Sequence, residues 1–263
     1  MIQQPQRRLA SGPGRRRASH SMEAVLAEAV RLLDEAGEQA LTFRALAARL
    51  GGGVGSIYWY VQNKEELLDR AADHVLEPVL DGTERFVHED DPIDAIRGIA
   101  LALFAAAVER PWLAAYFLRN TGFQPNSLRL FERVGGQVLR LRLTPRQSFD
   151  AASAVIGFVI GLAADMAQGP PEEVAVGGLT REQYMDVVVD RWRDLDAAEF
   201  PFLHTILDVF RVHDDVEQFR AGLDLLLDGL RRQAERAHAD REGTDRATSD
   251  RATTGRARVT GAG

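Results

Sequence analysis

The chain has 263 residues, of which 45% are hydrophobic and 7% aromatic, and its formal net charge is −7. It contains no cysteine, which excludes disulfide bonds and thiolate metal sites. Its first residues lack the apolar segment of a secretory signal, and its longest uncharged apolar run, residues 151–164, is shorter than the roughly 20 residues of a membrane helix, so we expect a cytoplasmic protein with no membrane association.

The first 18 residues predict a disordered basic arm. They mix proline, glycine and glutamine with five arginines and show no periodicity. Such an arm can follow a DNA backbone or enter the minor groove. A solvated tail without a specific role fits the same composition, and the sequence leaves both interpretations open.

A first helix is predicted after the arm. Ser21 can cap its first turn, and Gly37 is a natural place for it to end. Its apolar face at helical spacing consists of Met22, Leu26, Ala29, Val30 and Leu33.

Two short helices around a glycine-rich turn are predicted over residues 42–64. Thr42 is a suitable N-cap for the first, and Gly51 can end it in the left-handed conformation. Ile57 and Val61, four residues apart, would anchor the second helix in the core. Helix, tight turn and helix form the helix-turn-helix arrangement of DNA-binding proteins.

Three consecutive aromatic residues, Tyr58, Trp59 and Tyr60, occur at the end of this segment. Successive side chains on a helix point about 100° apart, so three in a row cannot all face a core. At least one ring must face solvent or a partner. Arg44 and Lys64 flank the unit and favour DNA as that partner. Asn63 and Glu66 predict a capping box at the start of the next helix.

The charge is distributed unevenly along the chain. Residues 1–60 hold eight arginines against five acidic residues, whereas residues 81–263 hold 22 basic and 29 acidic residues. A basic N-terminal part can approach phosphates while the acidic remainder faces away from them.

Residues 19–80, and above all the run IYWYVQNKEELLD, resemble the N-terminal domain of the TetR family of transcriptional repressors, close to the tetracycline repressor branch. The resemblance implies that the third helix enters the major groove and that Lys64 holds a phosphate. The residues it implies at the DNA are Thr42, Arg44, Val54, Gly55, Ser56, Tyr58, Trp59, Tyr60 and Lys64. The sequence departs from the family at Gly52, where a small apolar side chain usually fills the turn.

The remainder of the chain predicts an all-α fold without strands. Helices are expected over residues 92–109, 112–119, 128–141, 147–168, 180–198, 202–212 and 215–237, with a loop at 169–178. We therefore expect a helix-turn-helix domain at 19–80, a larger helical ligand-binding and dimerisation domain at 81–238, and a disordered tail at 239–263. The run FRAGLDLLLDGLRR resembles the last helix of the tetracycline-repressor type C-terminal domain.

The larger domain predicts a homodimer interface. A smooth face around Gly157 and Gly161 and a leucine stripe on the last helix suit a four-helix interface between two subunits. The stripe consists of Leu223, Leu226, Leu227 and Leu230. For any one of these residues, packing into the core of its own subunit is nearly as well supported.

Aromatic residues spread over consecutive helices predict a pocket for an apolar or aromatic ligand. They are Phe104, Trp112, Tyr116, Phe117, Phe123, Phe131, Phe149, Phe158 and Trp192, with Met166 beside them. Each of them alone is more often part of a packed core.

The sequence carries no catalytic or metal-binding signature. The acidic and histidine runs at 88–91 and 213–215 lie beside helix boundaries, where acidic residues serve as caps. No cofactor is expected. The sequence predicts a dimeric regulator that binds a palindromic double-stranded DNA operator and is released by a small-molecule inducer. A helix-turn-helix protein without induction, and an activator, fit the same residues.

Overall fold

The computed structural model describes residues 20–119, 124–168 and 171–259, with side chains as far as residue 243. Throughout these ranges the regular structure is helical and contains no β-strand, which confirms the predicted fold class. The predicted basic arm and Phe123 lie outside the described residues. The chain divides into two compact units, Met1–His74 and Val75–Gly263.

The first unit contains α1 (Met22–Ala40), α2 (Phe43–Arg49), α3 (Val54–Ile57) and the first half of α4 (Lys64–Thr83). Ser21 caps α1 as predicted, because its side chain accepts a hydrogen bond from the Ala24 amide at 3.1 Å. Gly37 has φ +71°, but the chain turns helical again and continues to Ala40. The core of this unit includes Val25, Ala29, Leu32, Leu33, Leu41, Leu46, Ala47, Ile57, Val61, Leu67, Leu68, Ala71 and Ala72.

The second unit continues from the end of α4. A 3-10 turn, Glu84–Phe86, precedes α5 (Pro92–Glu109), α6 (Pro111–Arg119), α7 (Pro125–Arg140), α8 (Pro145–Met166), α9 (Glu172–Ala175), α10 (Arg181–Arg193), α11 (Pro201–Val212) and α12 (Asp215–Val259). The helix predicted at 92–109 is confirmed. Thr144 and Thr180 begin α8 and α10 with reciprocal capping boxes, which define these two starts locally.

Two segments differ from the sequence prediction. The predicted loop at 169–178 contains the short helix α9, and the tail predicted from residue 239 continues α12 to Val259. The added segment has no proline and is rich in alanine and arginine. Its backbone can therefore extend an established helix without a new nucleation step.

The core of the second unit is built around α5, which packs against α7, α8 and α12. The ring of Phe219 on α12 stacks on Phe104 of α5 at 3.5 Å between centroids and on Phe158 of α8 at 5.5 Å. Phe219 is fully buried. This stack links three helices through side chains that are far apart in sequence.

Helix α8 is apolar over most of its length. Among the described helices it is long and apolar enough to cross a membrane, with a mean hydropathy of 1.6, and 28% of the window is buried. The shorter run considered in the sequence did not meet this criterion. Length and composition alone do not distinguish a membrane helix from a helix that packs in a core or an interface.

Candidate nucleic-acid interface

The turn between α2 and α3 follows the predicted design. Thr42 accepts a hydrogen bond from the Ala45 amide at 3.1 Å and so caps α2. Gly51 has φ +69°, the left-handed conformation that favours glycine. The Gly52 amide donates to the Ala47 carbonyl at 2.9 Å. The Thr42 bond thus satisfies an amide in the first turn of α2, and the Gly52 bond satisfies a carbonyl of its last turn and sets the direction of the following chain.

Helix α3 is shorter than predicted and ends at Ile57, before the three aromatic residues. The Tyr60 and Val61 amides donate to the Ile57 carbonyl at 2.9 and 3.2 Å, so the chain stays wound as far as Val61. Ile57 and Val61 are both buried, which confirms them as the anchors of this segment.

Two of the three aromatic rings lie on the surface. Trp59 is 89% exposed and Tyr58 is 59% exposed. The edge of the Tyr58 ring contacts Phe43 at the start of α2, with 4.8 Å between centroids. That contact joins α2 to residues 58–60, which we call the aromatic turn. The Trp59 ring remains open to a partner.

Tyr60 and Lys64 are both tied to the protein. The Tyr60 hydroxyl donates a hydrogen bond to the His20 carbonyl. The Lys64 Nζ donates to the Glu38 carbonyl at 2.7 Å. The Tyr60 hydrogen is therefore committed within the unit, whereas the Lys64 ammonium has three hydrogens and keeps two for other acceptors.

The start of α4 differs in one detail from the predicted capping box. Asn63 Oδ1 accepts a hydrogen bond from the Glu66 amide at 2.8 Å, as expected. The Glu66 carboxylate instead accepts from the Gln62 amide at 2.7 Å. The Gln62 amide and then the Arg70 guanidinium lower the pKa of Glu66 below its ordinary value.

The space beside Gly52 is occupied by other residues. A methyl group added at Gly52 would lie 3.2 Å from Ser56 Oγ and 3.4 Å from His20 Nε2. Ser56 Oγ also donates to the Gly53 carbonyl at 2.6 Å. The side chains of Ser56 on α3 and of His20, which precedes the Ser21 cap of α1, thus lie where the family resemblance implies a small side chain from position 52.

Among residues 20–74, free positive charge is limited. Arg49 pairs with Glu35 at 2.6 Å and with Glu28 at 3.4 Å, and its hydrogen bond and charge lower the pKa of Glu35. Arg44 is exposed and has no hydrogen bond or ion pair among the described residues. Arg44 and Lys64 are therefore the described cations best able to contact a phosphate. On α3, Gly55 is exposed and Val54 is half-buried.

The predicted ligand residues of the second unit are mostly packed. Phe104, Trp112 and Tyr116 are buried, and Phe158 and Met166 are half-buried against the same core. Phe117 is half-buried against that core, and Phe149 is exposed on α8. The Trp192 ring packs at a tilt against Phe210, with 4.3 Å between centroids. The role of these rings at a ligand site stays a prediction. Their packing also involves Phe219, which the sequence prediction omitted because a lone aromatic on a leucine-rich helix carries no signal of its own.

Phe131 differs from the other predicted ligand residues. It is 39% exposed and lines an open cleft of about 650 Å³ on α7. Of the predicted ligand residues, Phe131 alone lines this cleft.

The predicted dimer residues fall into two groups. Leu223, Leu227 and Leu230 are buried in the core of their own unit, so these three side chains face that core, while Leu226 is half-buried beside them and its place at an interface stays a prediction. A helical stripe covers one side of its helix, and here that side packs against α5 and α8. Added methyl groups at Gly157 and Gly161 would meet no atom within 4 Å. On α12 the exposed face instead carries Ala221, Leu225 and Gly229.

No group of three or more histidine, aspartate or glutamate residues is placed to hold a metal ion within the described residues. Neither acidic run singled out in the sequence forms such a cluster there.

Comparison with known families covers both units. Residues 25–71 match the model of bacterial regulatory proteins of the tetR family, and residues 88–234 match that of the tetracyclin repressor-like C-terminal domain. The HTH-type transcriptional repressor DrrR1 of Streptomyces coeruleorubidus is 27% identical over 233 residues, which cover 85% of this chain and 81% of that protein. The tetracycline repressor protein class D of Escherichia coli is 25% identical over 80% of this chain and 89% of its own.

Solved structures share the fold. The transcriptional regulator SCO7222, a TetR from Streptomyces coelicolor, has a TM-score of 0.67 and 37% identity, covering 80% of this chain and 97% of its own. ActR from Streptomyces coelicolor, solved in complex with actinorhodin, has a TM-score of 0.68 at 22% identity, covering 82% of this chain and 98% of its own. At that identity the likeness concerns the fold alone.

Proposed function

The chain belongs to the TetR family of bacterial regulatory proteins, and on that premise we propose that it is a homodimeric repressor that binds a palindromic operator and is released by a small apolar ligand. The observation that carries the DNA-binding part is the exposure of Trp59. A small domain with a closed core has no structural reason to keep an indole ring 89% exposed. An exposed aromatic in the same helix-turn-helix unit as an exposed arginine fits a nucleic-acid surface.

The residues have distinct roles in this proposal. Trp59 contacts base edges, where an apolar ring can meet a thymine methyl group. Arg44 and Tyr58 contact the phosphate backbone, and Lys64 donates its two remaining hydrogens there. Tyr60, whose hydroxyl bonds the His20 carbonyl, positions the aromatic turn. Thr42, Val54, Gly55 and Ser56 shape the surface that approaches the groove.

The dimer proposal rests on the open faces of α8 and α12. Gly157 and Gly161 leave one side of α8 smooth, and Leu225 on α12 is 73% exposed. Two such faces from each subunit would form a four-helix interface. An isologous interface of this kind places two identical helix-turn-helix units on one palindromic operator, with their recognition elements about 34 Å apart.

Release from DNA requires a ligand that favours a state of the dimer in which the two helix-turn-helix units no longer have the spacing of successive major grooves. Helix α4 runs from the first unit into the second, so it is the element through which the second unit can act on the first. A preference of a few kcal/mol for the released state is sufficient to empty an operator. In ActR the same fold holds actinorhodin.

The DNA-binding proposal is tested with fragments retained from the genome of the source organism. The full chain is incubated with sheared genomic DNA, and the retained fragments are sequenced and searched for a shared palindrome. Arg44→Ala should then weaken binding to the selected fragment and to random duplex by similar factors, and lower the slope of log K against log salt by about one. Retention of no common sequence by the wild-type chain would contradict the proposal.

A further inference from the structure

The cleft on α7 has the dimensions of a small-molecule site. Its volume is about 650 Å³, and ligand sites typically measure about 300–1,000 Å³. Its apolar lining includes Val87, Leu128 and Phe131. Leu128 is 52% exposed, so the ring of Phe131 and the side chain of Leu128 offer an open apolar surface.

Arg133 forms a wall of this cleft and also holds the end of α4. One of its terminal nitrogens donates to the Leu80 carbonyl and to Thr83 Oγ1, the latter at 2.8 Å. The other nitrogen pairs with the Glu84 carboxylate at 2.6 Å. Thr83 is fully buried. Arg133 therefore binds both the last turn of α4 and a side chain at the mouth of the cleft.

Further polar residues on α7 hold the connection that follows α4. The Gln137 side-chain amide donates to the Val87 carbonyl at 3.3 Å. Arg140 donates to the Glu89 and Asp90 carbonyls at 2.7 and 2.8 Å. With Arg133, these side chains form one row on α7, spaced by four and three residues. A change at Arg133 thus acts on residues 80–90, which side chains of α7 hold by hydrogen bonds at several points.

The cleft is lined by two glutamates, Glu84 and Glu132, and by two arginines, Arg129 and Arg133, which give an anion two cationic partners on one face of α7. Arg129 lies four residues before Arg133, on the same face of α7. Among the described residues, it donates only to the neutral Asn126 amide oxygen, at 2.8 Å. The Glu84 side chain is 63% exposed, and Arg133 is its ion-pair partner among the described residues. A ligand carboxylate can take its place between two guanidinium groups.

We propose that the α7 cleft binds an apolar carboxylic acid whose carboxylate displaces Glu84 from Arg133 while its hydrocarbon part packs on Leu128 and Phe131. This inference rests on the proposed function, since it names the class of the inducer and its site. Displacement draws Arg133 away from Leu80 and Thr83 and loosens the last turn of α4. A cationic ligand would pair with Glu132 and leave the bonds of Arg133 intact, so it would lack this coupling.

Calorimetric titration of the full chain with naphthalene-2-carboxylate tests the site, with naphthalene-2-carboxamide as the neutral counterpart. The carboxylate should bind once per chain and at least tenfold more tightly than the carboxamide. Arg129→Gln should weaken the carboxylate about tenfold, Phe131→Ala should weaken both compounds, and Glu84→Gln should tighten the carboxylate by freeing Arg133. Equal binding of the two compounds, or no effect of Glu84→Gln, would overturn the assignment.

Arg146→Gln is the matched control, because this α8 arginine is 83% exposed and lies outside the lining of the cleft. It should leave carboxylate binding unchanged. Hydrogen exchange tests the coupling: amides of residues 80–87 should exchange faster with the carboxylate bound, and unchanged exchange would refute it. Because neither measurement contains DNA, failure here is separate from failure of operator binding by the wild-type chain.

Discussion

Aromatic side chains have opposite roles in the two units. In the first unit, Trp59 is 89% exposed on a turn that follows a very short helix. In the second, Phe219 and Tyr116 are fully buried, and Phe219 stacks between two further rings. The comparison teaches that an aromatic residue points to a partner only where the core is already closed without it. Phe219 and Tyr116 instead close the core of the second unit themselves.

The largest effect is expected from Phe219→Ala. Loss of a fully packed phenylalanine should lower the free energy of unfolding by about 3–5 kcal/mol. Phe202→Ala is the control, since this phenylalanine is 70% exposed and its loss should change stability by less than about 0.5 kcal/mol. Denaturant unfolding measures both. A loss below about 1 kcal/mol for Phe219→Ala would show that its ring borders a void, and the contrast between the units would fail.

The open face of α8 can be tested with Gly161→Glu. A carboxylate placed in an apolar seam between subunits should weaken the dimer by on the order of 3 kcal/mol. Sedimentation should then show monomers, together with loss of operator binding. Gly82→Glu provides the control, because Gly82 is also a helical glycine with no atom within 4 Å of an added methyl group. If the Gly161→Glu chain is still dimeric at micromolar concentration, the subunits meet elsewhere.

Trp59→Ala separates function from stability. Loss of an indole ring at the centre of an interface should weaken operator binding by about 2 kcal/mol, or roughly thirtyfold. The free energy of unfolding should change by less than about 0.5 kcal/mol, since the ring is almost fully exposed. Fluorescence anisotropy and denaturant unfolding supply the two numbers, with Phe202→Ala again as control. Unaltered operator affinity would remove Trp59 from the interface.

The smallest effect concerns Asp91, which caps α5 and pairs with Arg231 at 2.8 Å. Burial opposes its ionisation, but the Arg231 guanidinium and the Ile93 amide outweigh this and lower the pKa of Asp91. A lowered pKa stabilises the fold at neutral pH, and this contribution is lost as pH falls through the folded-state pKa. Because the pair is partly exposed, Asp91→Asn should cost less than about 1 kcal/mol near neutrality.

Unfolding measured at about pH 7 and about pH 3 checks this sign. The difference between the wild-type chain and Asp91→Asn should shrink at the lower pH. An equal difference in unfolding free energy at both pH values would mean that the Asp91 charge contributes nothing to stability and that only its hydrogen bond as a helix cap does.

Features set by neighbouring residues could be predicted from the sequence. The caps at Ser21, Thr42 and Asn63 depend on side chains that reach amides three residues away. The left-handed Gly51 depends on the absence of a side chain. The helical fold and its family follow from these signals together with the motif of the first unit.

Features that join distant residues could not be predicted in this way. Periodicity places Leu223 and Leu227 on one side of α12, but it does not tell whether that side meets α5 or a second subunit. The bond from Tyr60 to the His20 carbonyl spans 40 residues, and that from Arg133 to Thr83 spans 50. No local pattern encodes such pairs, because each partner alone has an ordinary sequence context.

The packing around Gly52 has an evolutionary consequence. A methyl group at position 52 would lie 3.2 Å from Ser56 Oγ and 3.4 Å from His20 Nε2, so a side chain there would require one of these two side chains to move. A relative with alanine at the position of Gly52 should carry a smaller or differently placed residue at position 20. The substitutions at these sites should therefore covary, although residues 20 and 52 lie on opposite sides of two helices in sequence. A shortened chain that begins after His20 would lose the His20 side chain beside Gly52 and the carbonyl that accepts the Tyr60 hydrogen bond. The segment from Gly52 to Tyr60 would then lose two contacts with the start of the chain.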